Sequence, residues 1–319
     1  LHKVDAAIPT TAADEKKNMT RQNKAYAYAV ATVLLWSTVA SAFKLSLRYL
    51  DPLQLLLYAN VVSVLTLFLV LVVQKRLYLV AQYRGPALVR AAALGLLNPF
   101  LYYVVLFKAY DLLPAQEAQP LNYTWAITLA ILSIPLLKQK IGLKEFGAIL
   151  ISYAGVVVIS THGNVLSLRF GNTIGVALAL GSTVIWALYW ILNTKDTNDP
   201  VAALFLNFVF GLPFVFAATA LFSNVYVPFN QGLLGAAYVG VFEMGIAFVL
   251  WLNALKLSST TAKVGTLIFF SPFLSLIFIH FLVGEDIRSS TIVGLAFIVA
   301  GNVLQQLAGR NRSRRERQL

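Results

Sequence analysis

Ten apolar runs, each about as long as a bilayer's hydrocarbon core is thick, follow one another along this chain with little between them. A helix needs about 20 apolar residues to cross that core. Runs of that length fall roughly at 25–45, 53–73, 88–107, 115–137, 142–160, 173–193, 201–222, 232–254, 261–282 and 288–307. The connections are short and hold turn formers such as Asp51-Pro52, Gly85-Pro86, Asp199-Pro200 and Pro228-Phe229-Asn230. With 59% hydrophobic and 12% charged residues, against about 25% charged in an ordinary globular chain, water is the wrong solvent and the lipid bilayer is the implied partner. The pattern predicts an all-α polytopic membrane protein of ten transmembrane helices, with no separate soluble domain.

The net charge of +12 could suggest nucleic acid, but a polyanion needs a clustered basic face. Here the Lys and Arg stand beside the apolar runs, as topology determinants do, so no nucleic-acid partner is expected. Placing both termini in the cytoplasm leaves only Lys44, Arg48, Lys108, Arg169 and Arg288 outside, out of 25 Lys and Arg. The positive-inside rule therefore predicts a multi-pass inner-membrane protein with cytoplasmic ends. The arginines of the tail, Arg310 to Arg317, read as an anchor near anionic lipid. Residues 1–23 lack the apolar core and cleavage site of a signal peptide, so the first helix is expected to direct insertion. Because the chain begins at Leu1 and Met19 precedes Arg21 and Lys24, residues 1–18 are expected to hold a mis-assigned start. Zero cysteines exclude disulfides and thiol chemistry, and His2, His162 and His280 have no metal-ligand spacing, so no metal or cofactor is expected.

An internal repeat is visible. Gly95-Leu96-Leu97-Asn98 aligns with Gly240-Val241-Phe242-Glu243, and Lys108-Ala109 with Asn253-Ala254, at an offset of 145. One residue of slip then pairs Glu117 with Lys263, Ile141 with Ile287, and Ala154-Gly155 with Ala300-Gly301. At the front of each half, Leu35-Trp36-Ser37 meets Ile185-Trp186-Ala187. The implied organisation is a cytoplasmic segment 1–24, a first five-helix repeat 25–160, a periplasmic connection 161–172, a second repeat 173–307 and a basic tail 308–319. Five is odd, so the second repeat must enter the membrane upside down. Inverted repeats are common in alternating-access carriers, with the substrate site near the midplane. Small pairs four apart, Ala148 and Ser152, Ala177 and Gly181, and Ala296 and Ala300, suggest close helix packing.

The Trp36-Ser37 pair followed by Lys44 and Asp51-Pro52, together with Phe269-Phe270-Ser271-Pro272-Phe273 leading to Gly284-Glu285, resembles the EamA-type carriers of the drug/metabolite transporter superfamily. The resemblance covers roughly residues 25–307. It implies a ten-helix carrier with a central cavity, often an exporter of amino acids or related metabolites. The first half departs from that pattern, with Lys138-Gln139-Lys140 where Gly-Glu is usual. Pro120 to Trp125 is similar to a stretch of aromatic amino acid exporters in the superfamily, too short a match to carry a substrate across.

Charges inside hydrocarbon cost at least ~2.5 to 3.5 kcal/mol each, so they persist when paired, hydrated or useful. Glu243 is the deepest, near the middle of the eighth run, and a proton-coupling or substrate-ammonium role competes with a packing role, either held permanently neutral or paired to Lys263. Lys263 and Glu117 hold equivalent places in the two repeats. They either face a dipolar ligand from opposite sides or snorkel to their nearer interfaces. Among the amides, Asn98 and Asn122 are expected to face the cavity. Trp36, Tyr123, Trp125, Trp186, Tyr189 and Trp190 are candidates for an aromatic wall, or else packing and interface residues. Pro99, Pro120 and Pro272 can free helix carbonyls or form hinges.

The expected activity is secondary transport of a small metabolite, zwitterionic or cationic, by export, with the proton as a candidate coupling ion. An anion carrier would need several cavity cations, for which Lys263, Lys44 and Lys108 are the candidates. A channel is the rival non-carrier. An intramembrane enzyme would want a Ser and His or two Asp within the spans, and every Asp is near a loop, so an enzyme is not expected. Nothing in the sequence sets substrate identity or oligomeric state.

Overall fold

A computed structural model of the chain describes residues 12–138, 142–166, 171–193, 196, 198–258 and 264–316. In chain order the main helices are α1 Ala12–Ser46, α2 Pro52–Val73, α3 Pro86–Leu112, α4 Ala115–Leu137, α5 Leu143–Ser160, α6 Thr173–Asn193, α7 Pro200–Phe222, α8 Gln231–Leu257, α9 Leu267–Val283 and α10 Ser289–Glu316. Eight of them are long and apolar enough to cross a membrane. The apolar stretches of the other two, Phe146–Ser160 and Leu267–Val283, are shorter. Among the described residues, eight of the ten crossings that the sequence predicts reach full length.

The turn formers do what their chemistry allows. Asp51 caps α2 by accepting from the N–H of Leu53 at 2.9 Å and of Gln54 at 3.0 Å, while Gln54 accepts from the Asp51 N–H at 3.1 Å. Asp199 caps α7 in the same way, from Val201 and Ala202. In both, proline follows at the first helical position, where its missing N–H leaves no bond unmade. Gly284 closes α9 at φ +81°, a conformation only glycine adopts without strain.

Four helices are interrupted. In α3, Asn98 leaves the helical range (φ −141°, ψ 116°) just before Pro99, inside a π-helical segment Leu96–Leu101. In α8, Val239–Ala247 is π-helical around Glu243. The helical part of α4 after Pro120 stops at Asn122 and restarts at Trp125. In α9, Pro272 lies in the first turn after a 3-10 segment, Thr266–Phe270. Wide turns of this kind re-aim side chains and release carbonyls, and they collect at functional sites.

The helices pack with an exchange between halves. Helix α1 lies on α8 and α9, as α6 lies on α3 and α4; α2 lies on α8, as α7 lies on α3; and α5 pairs with α10. Leu65, Leu69, Val73, Leu150, Phe216, Leu221 and Ile277 are exposed on the outside, where only lipid suits them. One end of the bundle, carrying the connections at 47–51, 113–114, 161–166, 171–172, 223–230 and 284–288, is poor in Lys and Arg among the described residues. The opposite end is rich in them.

The seam between α5 and α10 corrects the expected small-residue pairs. Ala148 and Ser152 are buried in it, and the Ser152 hydroxyl donates to the Ile298 carbonyl at 3.1 Å. On α10, however, Gly294, Ile298 and Gly301 face the seam, while Ala296 and Ala300 are exposed. On α6, Ala177 is exposed and nothing lies within 4 Å of a Cβ at Gly181. A four-residue spacing marks a stripe without saying which way it faces. A Cβ at Gly155 would overlap the Gly294 carbonyl oxygen and stand 3.0 Å from Ile298 and Phe297. Gly155→Leu is therefore expected to destabilise the protein by about 1–3 kcal/mol through overpacking, read as a lower melting temperature in detergent. Gly147→Leu, which meets nothing within 4 Å, is the control. Equal losses from both would refute the seam.

Candidate functional site

Glu243 projects from the π-helical turn of α8 into a cavity at the centre of the bundle, which encloses about 700 Å³ of empty space with its open mouth included. Trp36, Trp125, Trp186, Trp190, Phe248 and Trp251 form much of the wall around it. Tyr102, Leu106 and Tyr110, at four-residue intervals on α3, form another side, and Gln119, Asn122 and Tyr123 of α4 add polar atoms. The rings hold one another. Trp36 stands edge-on to Phe248 at 6.0 Å, Tyr102 lies 4.6 Å from Trp186, and Trp186 stacks on Tyr189 at 5.7 Å. A mostly apolar pocket with a few fixed polar groups is the usual form of a small-molecule site.

The Glu243 carboxylate is held from behind. Fully buried Tyr103 donates to Oε1 at 3.2 Å, and the Trp36 indole stands beside the group without completing a hydrogen bond of ordinary geometry. Oε2 is buried and meets no donor among the described residues. Asn122 is fully engaged at both ends of its amide, accepting from Tyr102 at 3.4 Å and donating to Ser182 at 3.0 Å.

Of the residues singled out in the sequence, Glu243, Asn122, Tyr123, Trp125 and Trp186 line this cavity, as do Trp36 and Trp190. Tyr189 stands behind Trp186 and accepts from Asn207 at 3.4 Å. Asn98 does not reach the cavity. It is wholly buried at the break in α3, and its amide faces the Tyr189 hydroxyl without a hydrogen bond of ordinary geometry. The backbone break turns it inward toward α6 and α7, and its repeat partner Glu243 is turned to the lumen. Lys263 lies outside the described residues. Lys44 donates to the carbonyls of Tyr110 and Leu113 at 2.7 and 2.8 Å, and Lys108 pairs with Asp111 at 2.6 Å, so neither serves the cavity as a cation. Tyr102, Tyr110, Gln119, Phe248 and Trp251 are lining residues that the sequence reading missed. The periodic Tyr102, Leu106 and Tyr110 was the available signal.

Glu117 neither lines the cavity nor snorkels. It is 2% exposed, and its Oε1 meets His162 Nε2 at 3.0 Å and the Arg288 guanidinium. His162 and the Arg288 guanidinium, at its own end of the bundle, provide what water would have provided. Around this cluster the first residues of α4 are tied to the segment that opens α10. Glu285 accepts from the N–H of Ala115 at 2.7 Å and of Gln116 at 3.0 Å, placing a carboxylate on a helix N-terminus. The Gln116 side chain donates to the Asp286 carbonyl and accepts from the Arg288 N–H and the Thr291 hydroxyl. This network ties α4 to α10 at the cation-poor end. At the other end a second hollow, lined by Leu129, Ser133, Leu137, Leu255 and Gln306 among others, shares Trp125, Trp190, Trp251 and Ile268 with the first. The cavity therefore continues toward the cation-rich end.

A helical bundle with a lipid-compatible exterior and an internal pocket that continues toward one end has the form of a membrane transporter. The sequence profile of the EamA-like transporter family matches residues 23–161 and again 173–305. The chain belongs to that family, and with it to the drug/metabolite transporter superfamily. It is similar to an uncharacterized transporter of Clostridium kluyveri, 24% identical over 88% of this chain and 92% of the relative. An uncharacterized transporter of Archaeoglobus fulgidus is 26% identical over 88% and 96%, and another from Bacillus subtilis is 26% identical over 84% and 86%. A crystal structure at 21% identity covers 91% of this chain and 98% of its own with a TM-score of 0.64, a likeness of fold alone.

Proposed function

We propose that this transporter moves a small metabolite bearing an ammonium group, either a zwitterion such as an amino acid or a simple cation, out across the inner membrane by alternating access. The observation that carries the reading is Glu243: a carboxylate with one buried, unpartnered oxygen, set in a wall of tryptophan and tyrosine. A carboxylate oxygen buried without a partner is costly, and a ligand ammonium supplies that partner while the aromatic faces attract the same charge. Among the described residues no Lys or Arg lines the cavity, which disfavours an anionic substrate.

The architecture we propose is two five-helix units, 25–160 and 173–307, inserted upside down relative to each other, with 1–24 and the tail 308–319 in the cytoplasm. The exchanged packing supports it: Gly155 against Gly294 repeats, at the offset of 146, as Gly301 against Ala148. The cation-rich end then faces the cytoplasm and the Glu117 network faces outward. A proton is the candidate counter-ion, carried by Glu243 when the substrate has left.

Counterflow in proteoliposomes tests this. Vesicles preloaded with an unlabelled amino acid or amine should accumulate the labelled compound transiently, with saturation. Uptake linear in the gradient and without counterflow would make the protein a channel, and counterflow of carboxylates or sugar phosphates with no response to amines would reverse the charge assignment.

A further inference from the structure

The cavity has a second polar group that Glu243 does not use. Gln119 is 4% exposed and lines the cavity, and its Oε1 accepts from the Tyr110 hydroxyl at 2.9 Å. That bond fixes the amide's orientation and leaves Nε2 as the donor. Among the described residues no acceptor meets it. Asn122, by contrast, already spends one bond at each end of its amide. The site therefore presents a donor without an acceptor, Gln119 Nε2, as well as the Glu243 oxygen without a donor.

Their separation follows from α3. Tyr103 touches Glu243 and Tyr110 touches Gln119, and seven residues of regular helix place these two tyrosines on one face about 10 Å apart. Between them the cavity is apolar, with Val39, Phe43 and Leu106. An α-amino acid, whose ammonium and carboxylate sit on one carbon, cannot span two helical turns. A chain with its charges at opposite ends can.

Building on the ammonium reading of Glu243, we infer that Gln119 is the second pole of the substrate site. Its Nε2 donates to a carboxylate or carbonyl oxygen at the far end of an elongated substrate whose ammonium rests on Glu243. The cavity thereby selects ω-amino acids over α-amino acids and over simple amines.

Equilibrium binding to the purified chain, with labelled 5-aminopentanoate, 2-aminopentanoate and pentylamine as probes, tests the selection. Wild type should bind 5-aminopentanoate about tenfold more tightly than the other two, the factor for one added hydrogen bond. Gln119→Leu should erase that preference, weakening 5-aminopentanoate about tenfold more than pentylamine. Gln119→Glu, which turns the donor into an acceptor at constant size, should favour 1,5-diaminopentane over 5-aminopentanoate. Equal binding of 2- and 5-aminopentanoate by wild type, or equal weakening of 5-aminopentanoate and pentylamine by Gln119→Leu, would overturn the second pole. If no amine binds wild type at all, the Glu243 reading falls first and this one with it.

Discussion

Glu243→Gln is expected to weaken binding of a labelled primary amine about thirty-fold, the factor for a charge-assisted hydrogen bond worth roughly 2 kcal/mol, while leaving the protein folded. The substitution is nearly isosteric, and the amide carbonyl oxygen can still accept from the Tyr103 hydroxyl, so the packing behind the group survives. What is lost is the negative charge that an ammonium needs. Direction of stability separates the two readings of this residue. A carboxylate kept only for packing is worth no more than the amide that replaces it, so binding would hold. A carboxylate kept for its ligand burdens the free protein with a half-satisfied buried charge, so the glutamine variant should melt at the same temperature or higher while binding is lost. Isothermal titration paired with a melting curve in detergent reads both. Unchanged affinity in a folded variant would move Glu243 out of the site.

The lines of this fold that could be read from residues alone are those set by the solvent. Lipid demands long apolar runs, and eight helices meet that demand at full length. The break in α3 was legible because Pro99 removes a donor and disturbs the turn before it. The π-helical stretch around Glu243 was not, because it holds no proline, and glycines such as its Gly240 and Gly245 are common in an ordinary membrane-spanning helix. Small-residue pairs announced close packing but not its direction, so Gly294 and Gly301 form the seam where Ala296 and Ala300 were expected.

The site was legible where burial is costly. A carboxyl in mid-span, an amide beside it and tryptophans at helical spacing have few cheap explanations, and Glu243, Asn122 and Trp186 do share one cavity. Glu117 was read from the same cost, as facing a ligand or snorkelling, without the partners it has here. Those partners, His162 and Arg288, lie 45 and 171 residues away along the chain, in connections whose approach to α4 no local pattern encodes. Gln119 was passed over because its neighbour carried the charge. In the run Gln116-Glu117-Ala118-Gln119 the first two turn to the cation-poor end and the last turns to the cavity.

Opening the Glu117 network should change which face of the membrane reaches the cavity. On the alternating-access reading proposed above, the contacts among Glu117, His162, Arg288, Gln116 and Glu285 tie α4 to the start of α10 at the cation-poor end, and so bias a two-state equilibrium toward the state closed there. Removing one partner of a fully buried ion pair destabilises by about 3–5 kcal/mol. Here the Arg288 and His162 side chains are 43% and 36% exposed, so water screens the pair, and about 1.4 kcal/mol, a tenfold shift in population, is the realistic scale. The chain has no cysteine, which makes the measurement clean. A single cysteine at Leu106, inside the cavity, should react with a membrane-impermeant thiol reagent from the cation-poor side about tenfold faster in Glu117→Gln than in the parent. Arg288→Gln should do the same, and the double variant should add little, because both substitutions break one network. Reversing both charges, Glu117→Arg with Arg288→Glu, puts a buried guanidinium beside His162 and should restore closure only in part. Labelling that stays slow from that side in every variant would mean the network is not what holds the end closed. Labelling that rises equally from both sides would mean the bundle has loosened as a whole, and the gate would have to be sought elsewhere.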